Sequence, residues 1–317
     1  MYRLFIKPLA GLCIAVGVLF TLHSWELAQG PSSVREEAKE SLSTGSGALS
    51  DPRLAFQPKW EILHYRGGNI RRLEVDGRTG FVIQPAGTVD RQRRWIWIAP
   101  SWLAIGRWDN RLQKIVVSPE VDHLFYVEGV LAKGFHVAGV DIGTSCGNSA
   151  GVAVFQDFYE MLRQKYHLNP RARMVGQSNG GLMVYSYAAA HPQSVDRILG
   201  IYPATDLRSW PGLAKASGAD KSITPPPYDM SPAELEAKLM EFNPIDRLAP
   251  LAAHKIRILH LHGDEDTTVP IGPNSEELVR RYRALGGDIG LEVVRGKGHG
   301  PDPAFYESTR ALKFLLD

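Results

Sequence analysis

One short turn motif, Gly176-Gln177-Ser178-Asn179-Gly180, constrains this chain more than any other stretch. An apolar run that ends at Val175 precedes the motif, and residues 182–190, which favour a helix, follow it. A strand that turns directly into a helix strains the backbone of the residue at the apex, and glycines two positions to either side relieve the crowding of Cβ atoms. The pattern therefore predicts a sharp turn that exposes the Ser178 hydroxyl and aims it at helix N–H groups that favour negative charge.

Apolar runs and helical patterns alternate along the rest of the chain. Residues 95–99 and 198–202 are nearly continuous apolar runs, as expected of strands that are buried on both faces. Residues 151–167 instead carry apolar side chains at helical spacing. Strands and helices that alternate in this way predict a mostly parallel, doubly wound sheet with helices on both faces. Asp76-Gly77 adds the signal of an antiparallel hairpin before that sheet.

The first part of the chain has the pattern of a targeting segment. Two basic residues precede an uncharged apolar run from Leu9 to Leu22, which predicts a signal peptide or an N-terminal membrane anchor over residues 1–28. Residues 29–55 are rich in Ser, Gly, Glu and Lys, which indicates a flexible linker. We expect a secreted or periplasmic protein, with a membrane-anchored protein as the alternative.

Composition narrows the classes of partner. The 317 residues suffice for one large α/β domain, and a formal net charge of +2 gives no reason to expect a nucleic-acid partner. Of the two cysteines, Cys13 lies in the leader, so a cleaved chain keeps only Cys146. That excludes an intramolecular disulfide in the cleaved chain and argues against a paired-cysteine metal site. We expect no metal and no organic cofactor.

Two further motifs supply what a serine nucleophile needs. A serine hydroxyl requires a base to take its proton, and that base requires an acid to orient it. His299 lies in Gly296-Lys297-Gly298-His299-Gly300, where the flanking glycines let an imidazole approach closely. Residues 262–270 read His-Gly-Asp-Glu-Asp-Thr-Thr-Val-Pro and offer Asp264 and Asp266 as acids.

Together these motifs resemble a known superfamily over roughly residues 60–316. The turn around Ser178 is similar to the nucleophile elbow of the α/β-hydrolases. Residues 262–270 resemble the His-Gly-x-x-Asp-x-x-Val-Pro signature of the dienelactone-hydrolase and prolyl-oligopeptidase branches. The resemblance implies an α/β-hydrolase fold with a small cap insertion and a catalytic domain over residues 56–317.

The same resemblance implies a role for each motif residue. Ser178 would be the nucleophile, His299 the base and Asp266 the acid that holds the imidazole. Asp264 would structure its loop, while Asp206, which follows the preceding strand, is the alternative acid. His262 would pack beneath the acid loop.

The developing oxyanion of an acyl-transfer reaction needs two hydrogen-bond donors. The resemblance assigns one to the backbone N–H of Asn179. The other normally comes from a His-Gly loop after the third strand, but residues 99–102 read Ala-Pro-Ser-Trp, and Pro100 has no N–H. The second donor is therefore expected from Ser101 or Trp102.

A cap is predicted over residues 207–250, where prolines interrupt the alternating pattern, and a surface crossover without substrate contact is the alternative.

Cys146 lies in a polar loop, residues 141–151, with no base of its own, so we do not expect it to be a nucleophile. Residues 95 and 97 are expected in the core and Trp108 in a loop. The residues predicted to contact substrate are Gln177, Trp102, Thr144, Ser145 and Trp210.

These features favour hydrolysis of carboxylic esters through an acyl-enzyme, with a small-molecule or carbohydrate ester as substrate. Export and the loop tryptophans motivate the carbohydrate hypothesis. A peptidase of the prolyl-oligopeptidase type is one alternative, although we expect no large domain before the fold. A non-catalytic α/β-hydrolase-like binding protein is the other. Contact with a membrane is expected only through an uncleaved N-terminal segment.

Overall fold

Strands that alternate with helices form the framework of the described residues, which in this computed structural model are 63–65, 67–100, 103–109, 114–119 and 124–317. The predicted signal peptide or anchor (1–28) and linker (29–55) lie outside them. The strands are β1 (Leu63–Tyr65), β2 (Gly68–Val75), β3 (Arg78–Pro85), β4 (Trp95–Ala99), β5 (Leu103–Asp109), β6 (Lys114–Pro119), β7 (His136–Val140), β8 (Ala172–Gln177), β9 (Val195–Ile201), β10 (Arg257–Gly263) and β11 (Ile289–Val294).

Nine of these strands form one sheet in the order β1-β2-β3-β7-β4-β8-β9-β10-β11. β1, β2 and β3 pair antiparallel with their neighbours, and β3 also pairs antiparallel with β7. The strands from β7 to β11 in this order run parallel. β5 and β6 form a separate antiparallel hairpin. The sheet confirms the predicted α/β-hydrolase fold and brings the carboxyl ends of β8, β10 and β11 to one edge.

Helices cover both faces of this sheet. The described residues contain α1 (Leu124–Leu131), α2 (Ser149–Tyr166), α3 (Gly180–Ala190), α4 (Leu213–Ala216), α5 (Pro232–Ala237), α6 (Leu239–Phe242), α7 (Ala249–Ala253), α8 (Glu277–Ala284), α9 (Pro303–Tyr306) and α10 (Thr309–Leu316). Side chains of α2, α3 and α8 join one core cluster, and those of α1 and α10 join another. Within this part of the chain, no helix has the length and apolar character to cross a membrane.

β4 shows why a continuous apolar run forms a central strand. Successive side chains of a strand point to opposite faces. Trp95 and Trp97 accordingly join the α2–α3 core, whereas Ile96 and Ile98 join the α1–α10 core. Both tryptophans are fully buried, as expected. Burial of an apolar side chain of this size contributes about 1.5–3 kcal/mol relative to exposure.

Three local predictions need correction. The sequence pattern predicts one closing helix from Ala304 to Leu316, but the structure has two, α9 and α10. Ser308 starts the second, since its Oγ accepts a hydrogen bond from the Ala311 N–H at 3.2 Å. The pattern also predicts a short helix near residues 233–242 of the cap, which the structure divides into α5 and α6. Trp108 lies in β5 rather than in a loop.

Two buried histidines should make the fold sensitive to acid. Burial lowers the pKa of His136 to about 4 and that of His260 to about 3. Histidine in an unfolded chain titrates near pH 6.5. Between that pH and about 4 the unfolded state therefore binds more protons, and the folded state loses stability as the pH falls.

We expect the free energy of unfolding to decrease by about 2 kcal/mol for each of these histidines between about pH 7 and about pH 4.5. Urea titrations at the two pH values would measure the decrease, and His136→Gln should reduce it. A free energy of unfolding that did not change with pH would contradict the prediction.

Candidate active site

Ser178 lies between the end of β8 and the start of α3, at the apex predicted from the sequence. Its backbone has φ +49°, a left-handed conformation that is costly for any residue except glycine. Three backbone hydrogen bonds hold it there. The Ser178 N–H donates to the Ile201 carbonyl at 3.0 Å, and its own carbonyl accepts from the N–H groups of Gly181 and Ala204, each at 2.9 Å.

Gly180 allows this turn to lie against the neighbouring strand. A Cβ atom at Gly180 would lie 1.9 Å from the carbonyl oxygen of Ala99, at the end of β4. Any other residue would push the nucleophile turn away from the β4 loop. The second glycine of the motif therefore allows the Ser178 turn to lie close to the end of β4.

Three side chains from three different loops meet at this edge of the sheet. His299 Nε2 lies 2.9 Å from Ser178 Oγ, and His299 Nδ1 lies 2.7 Å from Asp266 Oδ2. A carboxylate only accepts hydrogen bonds, so Nδ1 carries the imidazole proton and Nε2 is free to accept the serine proton. The Asp266 side chain is fully buried, whereas that of His299 is 17% exposed.

Asp266 remains ionised although it is buried. Its Oδ1 accepts hydrogen bonds from the backbone N–H groups of Thr268 at 2.9 Å and Val269 at 2.8 Å. Burial alone would raise the pKa of Asp266, but contacts with His262, His299 and the Val269 N–H outweigh that effect and hold this pKa well below its usual range. The site therefore contains a fixed negative charge that can stabilise a protonated His299.

Asp264 joins the loop of the acid to the loop of the base. Its carboxylate accepts from the Gly296 N–H at 2.7 Å and from Arg295 at 3.2 Å. Gly263 permits the close approach, since a Cβ atom there would lie 2.0 Å from the Lys297 carbonyl oxygen. Asp206, the alternative acid, instead accepts a hydrogen bond from Asn243 in the predicted cap.

Asn179 follows the nucleophile and precedes the first turn of α3. It is 8% exposed, and its side-chain Oδ1 has no hydrogen-bond partner among the described residues. Its backbone N–H is the predicted first oxyanion donor. Ser101 and Trp102, the predicted sources of the second donor, lie outside the described residues.

Gln177, a predicted substrate contact, is bound to two tyrosines beside the base. Its Nε2 donates to the hydroxyl of Tyr202 at 3.0 Å and to that of Tyr306 at 2.7 Å. The Tyr202 and Tyr306 hydroxyls also form a hydrogen bond with each other. The Tyr202 ring lies 4.4 Å from the His299 ring. Sequence reasoning missed both tyrosines, although Tyr202 follows β9 at the edge where the site was expected.

Thr144 and Ser145 line a pocket of about 310 Å³ between the 141–151 loop and the prolines of the predicted cap. Thr144 is exposed, whereas Ser145 is buried and accepts a hydrogen bond from the Gly147 N–H at 3.3 Å. Within the described part of the chain, neither Ser178 nor His299 lines this pocket. Substrate contact by Thr144 and Ser145 remains a prediction.

The predicted cap carries a small apolar cluster of its own. Leu207, Leu235 and Tyr228 pack with Leu182 of α3 and with Val269 of the acid loop, and Trp210 packs against this cluster. Cys146 belongs to the same cluster, and burial raises the pKa of its thiol to about 12. A thiol with so high a pKa stays protonated, in agreement with the expectation that it is not a nucleophile.

Comparison with known protein families gives a match. Residues 139–317 match the prolyl oligopeptidase family. No curated protein sequence matches the chain.

Solved structures share the fold at low sequence identity. Dipeptidyl peptidase 4 of Porphyromonas gingivalis is 16% identical, with a TM-score of 0.58 over 80% of this chain and 36% of that chain. A puromycin-hydrolysing peptidase of Mycobacterium tuberculosis is 16% identical, with a TM-score of 0.56 over 78% of this chain and 38% of that chain. MPT51 of Mycobacterium tuberculosis is 15% identical, with a TM-score of 0.59 over 78% of this chain and 97% of that chain.

The chain thus spans little more than a third of the length of the two peptidases. At these identities the likeness shows the fold alone. The family match, by contrast, spans more than half of the chain and includes the nucleophile turn and both loops that meet it. The chain therefore belongs to the prolyl oligopeptidase family, and its sheet is that of the α/β-hydrolase fold that its motifs indicated.

Proposed function

We propose that the protein hydrolyses carboxylic esters through an acyl-enzyme formed on Ser178. The observation that carries this proposal is the continuous line of contacts from Ser178 Oγ to His299 Nε2, at 2.9 Å, and from His299 Nδ1 to Asp266 Oδ2, at 2.7 Å. In this arrangement a weak nucleophile has an unprotonated imidazole nitrogen within reach of its proton.

In the first half of the reaction, Ser178 Oγ attacks the carbonyl carbon of the ester as His299 Nε2 takes the hydroxyl proton. Asp266 stabilises the imidazolium, and the Asn179 N–H donates to the oxyanion of the tetrahedral intermediate. When the intermediate collapses, the bond from carbon to the leaving oxygen breaks. His299 returns the proton to that oxygen and releases the alcohol.

The second half repeats these steps with water. His299 takes a proton from the water, whose oxygen attacks the acyl carbon. The bond from that carbon to Ser178 Oγ then breaks, and the serine recovers its proton from the imidazolium. The products are one alcohol and one carboxylic acid for each ester and water consumed.

Peptide hydrolysis is the second candidate, and the match to the prolyl oligopeptidase family favours it. The same residues perform both reactions, because an amide differs from an ester here in its leaving group. Two of the similar structures bear peptidase names, but this chain covers only 36% and 38% of their lengths. The carbohydrate part of the ester hypothesis stays a prediction, and Trp210, one of the tryptophans that motivated it, is partly buried against the cap cluster.

Parallel assays would separate the two candidates. We expect faster turnover of p-nitrophenyl acetate than of a prolyl naphthylamide, since p-nitrophenolate can leave without a proton whereas an amine leaving group must receive one from His299. The opposite order after correction for the uncatalysed rates would make the protein a peptidase. Ser178→Ala supplies the blank for both substrates, because it keeps the fold and lacks the nucleophile.

A further inference from the structure

A network of buried polar side chains lies beneath Asp266 and takes no part in the reaction steps above. It consists of Tyr185 on α3, His260 and His262 on β10, and Ser275 in the π-helical turn Gly272–Glu276, and all four are fully buried. The Tyr185 hydroxyl lies 2.6 Å from His260 Nε2. Ser275 Oγ lies 2.8 Å from His260 Nδ1 and 2.7 Å from His262 Nδ1.

The hydrogen-bond partners within this network indicate where each proton lies. His262 Nε2 lies 2.8 Å from the Val269 carbonyl, which can only accept, so Nε2 carries a proton, and in the neutral imidazole Nδ1 is then an acceptor. Ser275 must then donate to His262 Nδ1 and accept from His260 Nδ1. His260 Nε2 is left as the acceptor for the Tyr185 hydroxyl.

In this network His260 is a neutral imidazole, with its proton on Nδ1. This agrees with the burial of His260, which lowers its pKa to about 3. The network gives His262 one tautomer, with its N–H directed away from Ser275 and towards the acid loop.

That N–H lies at the centre of the turn that carries the acid. Besides the Val269 carbonyl, His262 Nε2 lies 3.4 Å from Asp266 Oδ2, the oxygen that accepts from His299. The Val269 N–H binds the other carboxylate oxygen, Oδ1, at 2.8 Å. His262 Nε2 thus contacts both the backbone carbonyl of Val269 and the carboxylate of Asp266.

Packing alone does not account for these residues. An apolar side chain of similar volume would fill the space beneath β10 without the cost of removing two imidazoles, a hydroxyl and a phenol from water. What an apolar residue could not supply is a donor for the Val269 carbonyl and for the Asp266 carboxylate. Without that donor the buried Val269 carbonyl would lose its hydrogen bond with His262, which is costly in the interior, and the Asp266 carboxylate would lose one of its contacts.

We propose that His262 is a positioning residue, held in one tautomer by Ser275, that fixes the Asp266 carboxylate for its hydrogen bond with His299. The inference rests on the proposed function of the site, because it assigns Asp266 the role of orienting acid. His262 does not touch substrate. It acts by restricting where the negative charge lies and by withdrawing part of that charge from the oxygen that His299 contacts.

Two substitutions at His262 distinguish a residue that positions Asp266 from one that only fills space in the core. The amide nitrogen of His262→Gln can reach the position of Nε2, whereas that of His262→Asn is too short to do so. Both remove one imidazole and leave a polar side chain of intermediate size, so they form a matched pair. Circular dichroism and the thermal midpoint would establish that each variant is folded.

For His262→Asn we expect kcat to fall by about 10-fold to 100-fold, the range for a catalytic group displaced by up to about 1 Å, with KM little changed. The midpoint of the acidic limb of the kcat/KM–pH profile should move to higher pH, because a carboxylate with one donor fewer stabilises the imidazolium more. His262→Gln should keep most of kcat and the wild-type midpoint. Equal losses in both variants, or a wild-type kcat or unchanged midpoint in His262→Asn, would overturn the proposal.

Ser275→Ala tests the same proposal if His262→Asn does not fold. Without the serine hydroxyl, His262 is free to place its proton on Nδ1, so the pH midpoint should shift in the same direction by a smaller amount. A wild-type midpoint would count against the inference. Labelling of Ser178 by a fluorophosphonate distinguishes failure of the proposed function from failure of the role of His262. An unlabelled wild-type protein refutes the proposed function. If the wild-type protein is labelled and these variants behave like it, only the role of His262 is refuted.

Discussion

Ser178→Ala should reduce ester hydrolysis by about 10³-fold or more, because removing the nucleophile of such a triad leaves only the help of binding and oxyanion contacts. The substitution deletes one oxygen atom at a half-buried position and leaves the backbone bonds of the turn intact. The loss should therefore appear in kcat rather than in stability. Steady-state kinetics with p-nitrophenyl acetate and labelling by a fluorophosphonate would both report it.

Ser186→Ala is the matched control on the same helix. Ser186 lies in α3, is fully buried, and has a hydroxyl without a hydrogen-bond partner among the described residues. Removing that hydroxyl should leave activity and labelling near those of the wild type. Near-wild-type hydrolysis by Ser178→Ala would refute the assignment of the nucleophile, and equal losses in both variants would point to a general effect on α3.

Asp266→Asn should lower kcat by about 10³-fold to 10⁴-fold, as in other triads that lose the charge of the acid. The amide removes the negative charge that stabilises the His299 imidazolium. It also presents an N–H group that favours the opposite tautomer, in which Nε2 carries the proton and cannot accept one from Ser178. The side chain is fully buried and its Oδ1 contacts can persist, so the fold should remain.

Asp264→Asn provides the comparison within the same loop. Asp264 binds the Gly296 N–H and Arg295 and does not contact His299 in the hydrogen bonds described here. It should retain most of the activity, with a modest loss of stability in the base loop. If Asp264→Asn lost more activity than Asp266→Asn in the same assay, the acid would have to be reassigned.

The parts of the fold that sequence reasoning anticipated are those that short-range patterns determine. Residues 95–99 form a buried strand because a parallel sheet covered on both faces requires apolar side chains at every position. The turn around Ser178 is recognisable because only glycine tolerates the contact with the Ala99 carbonyl. The spacing of residues 262–270 places an acid at the end of β10, and the structure brings that acid to His299.

The parts that were missed depend on contacts between distant residues. Nothing within a few positions of Tyr202 shows that its ring lies beside His299, since the two are joined only by the fold. The hairpin of β5 and β6 gave no recognised turn signal. The partners of Gln177 are likewise distant in the sequence: it binds the hydroxyls of Tyr202 and Tyr306, and its contact with substrate stays a prediction.

Asp264 joins its own loop, which also carries Asp266, to the loop of His299 by accepting a hydrogen bond from the Gly296 N–H. Glu265 reinforces that link, since its N–H donates to the Lys297 carbonyl at 3.0 Å. The loops that carry Asp266 and His299 are thus fastened to each other by backbone and side-chain contacts, whereas Ser178 comes from a separate element, the turn between β8 and α3. A residue inserted between Val294 and His299 should therefore displace His299 from Asp266 while leaving the Ser178 turn in place.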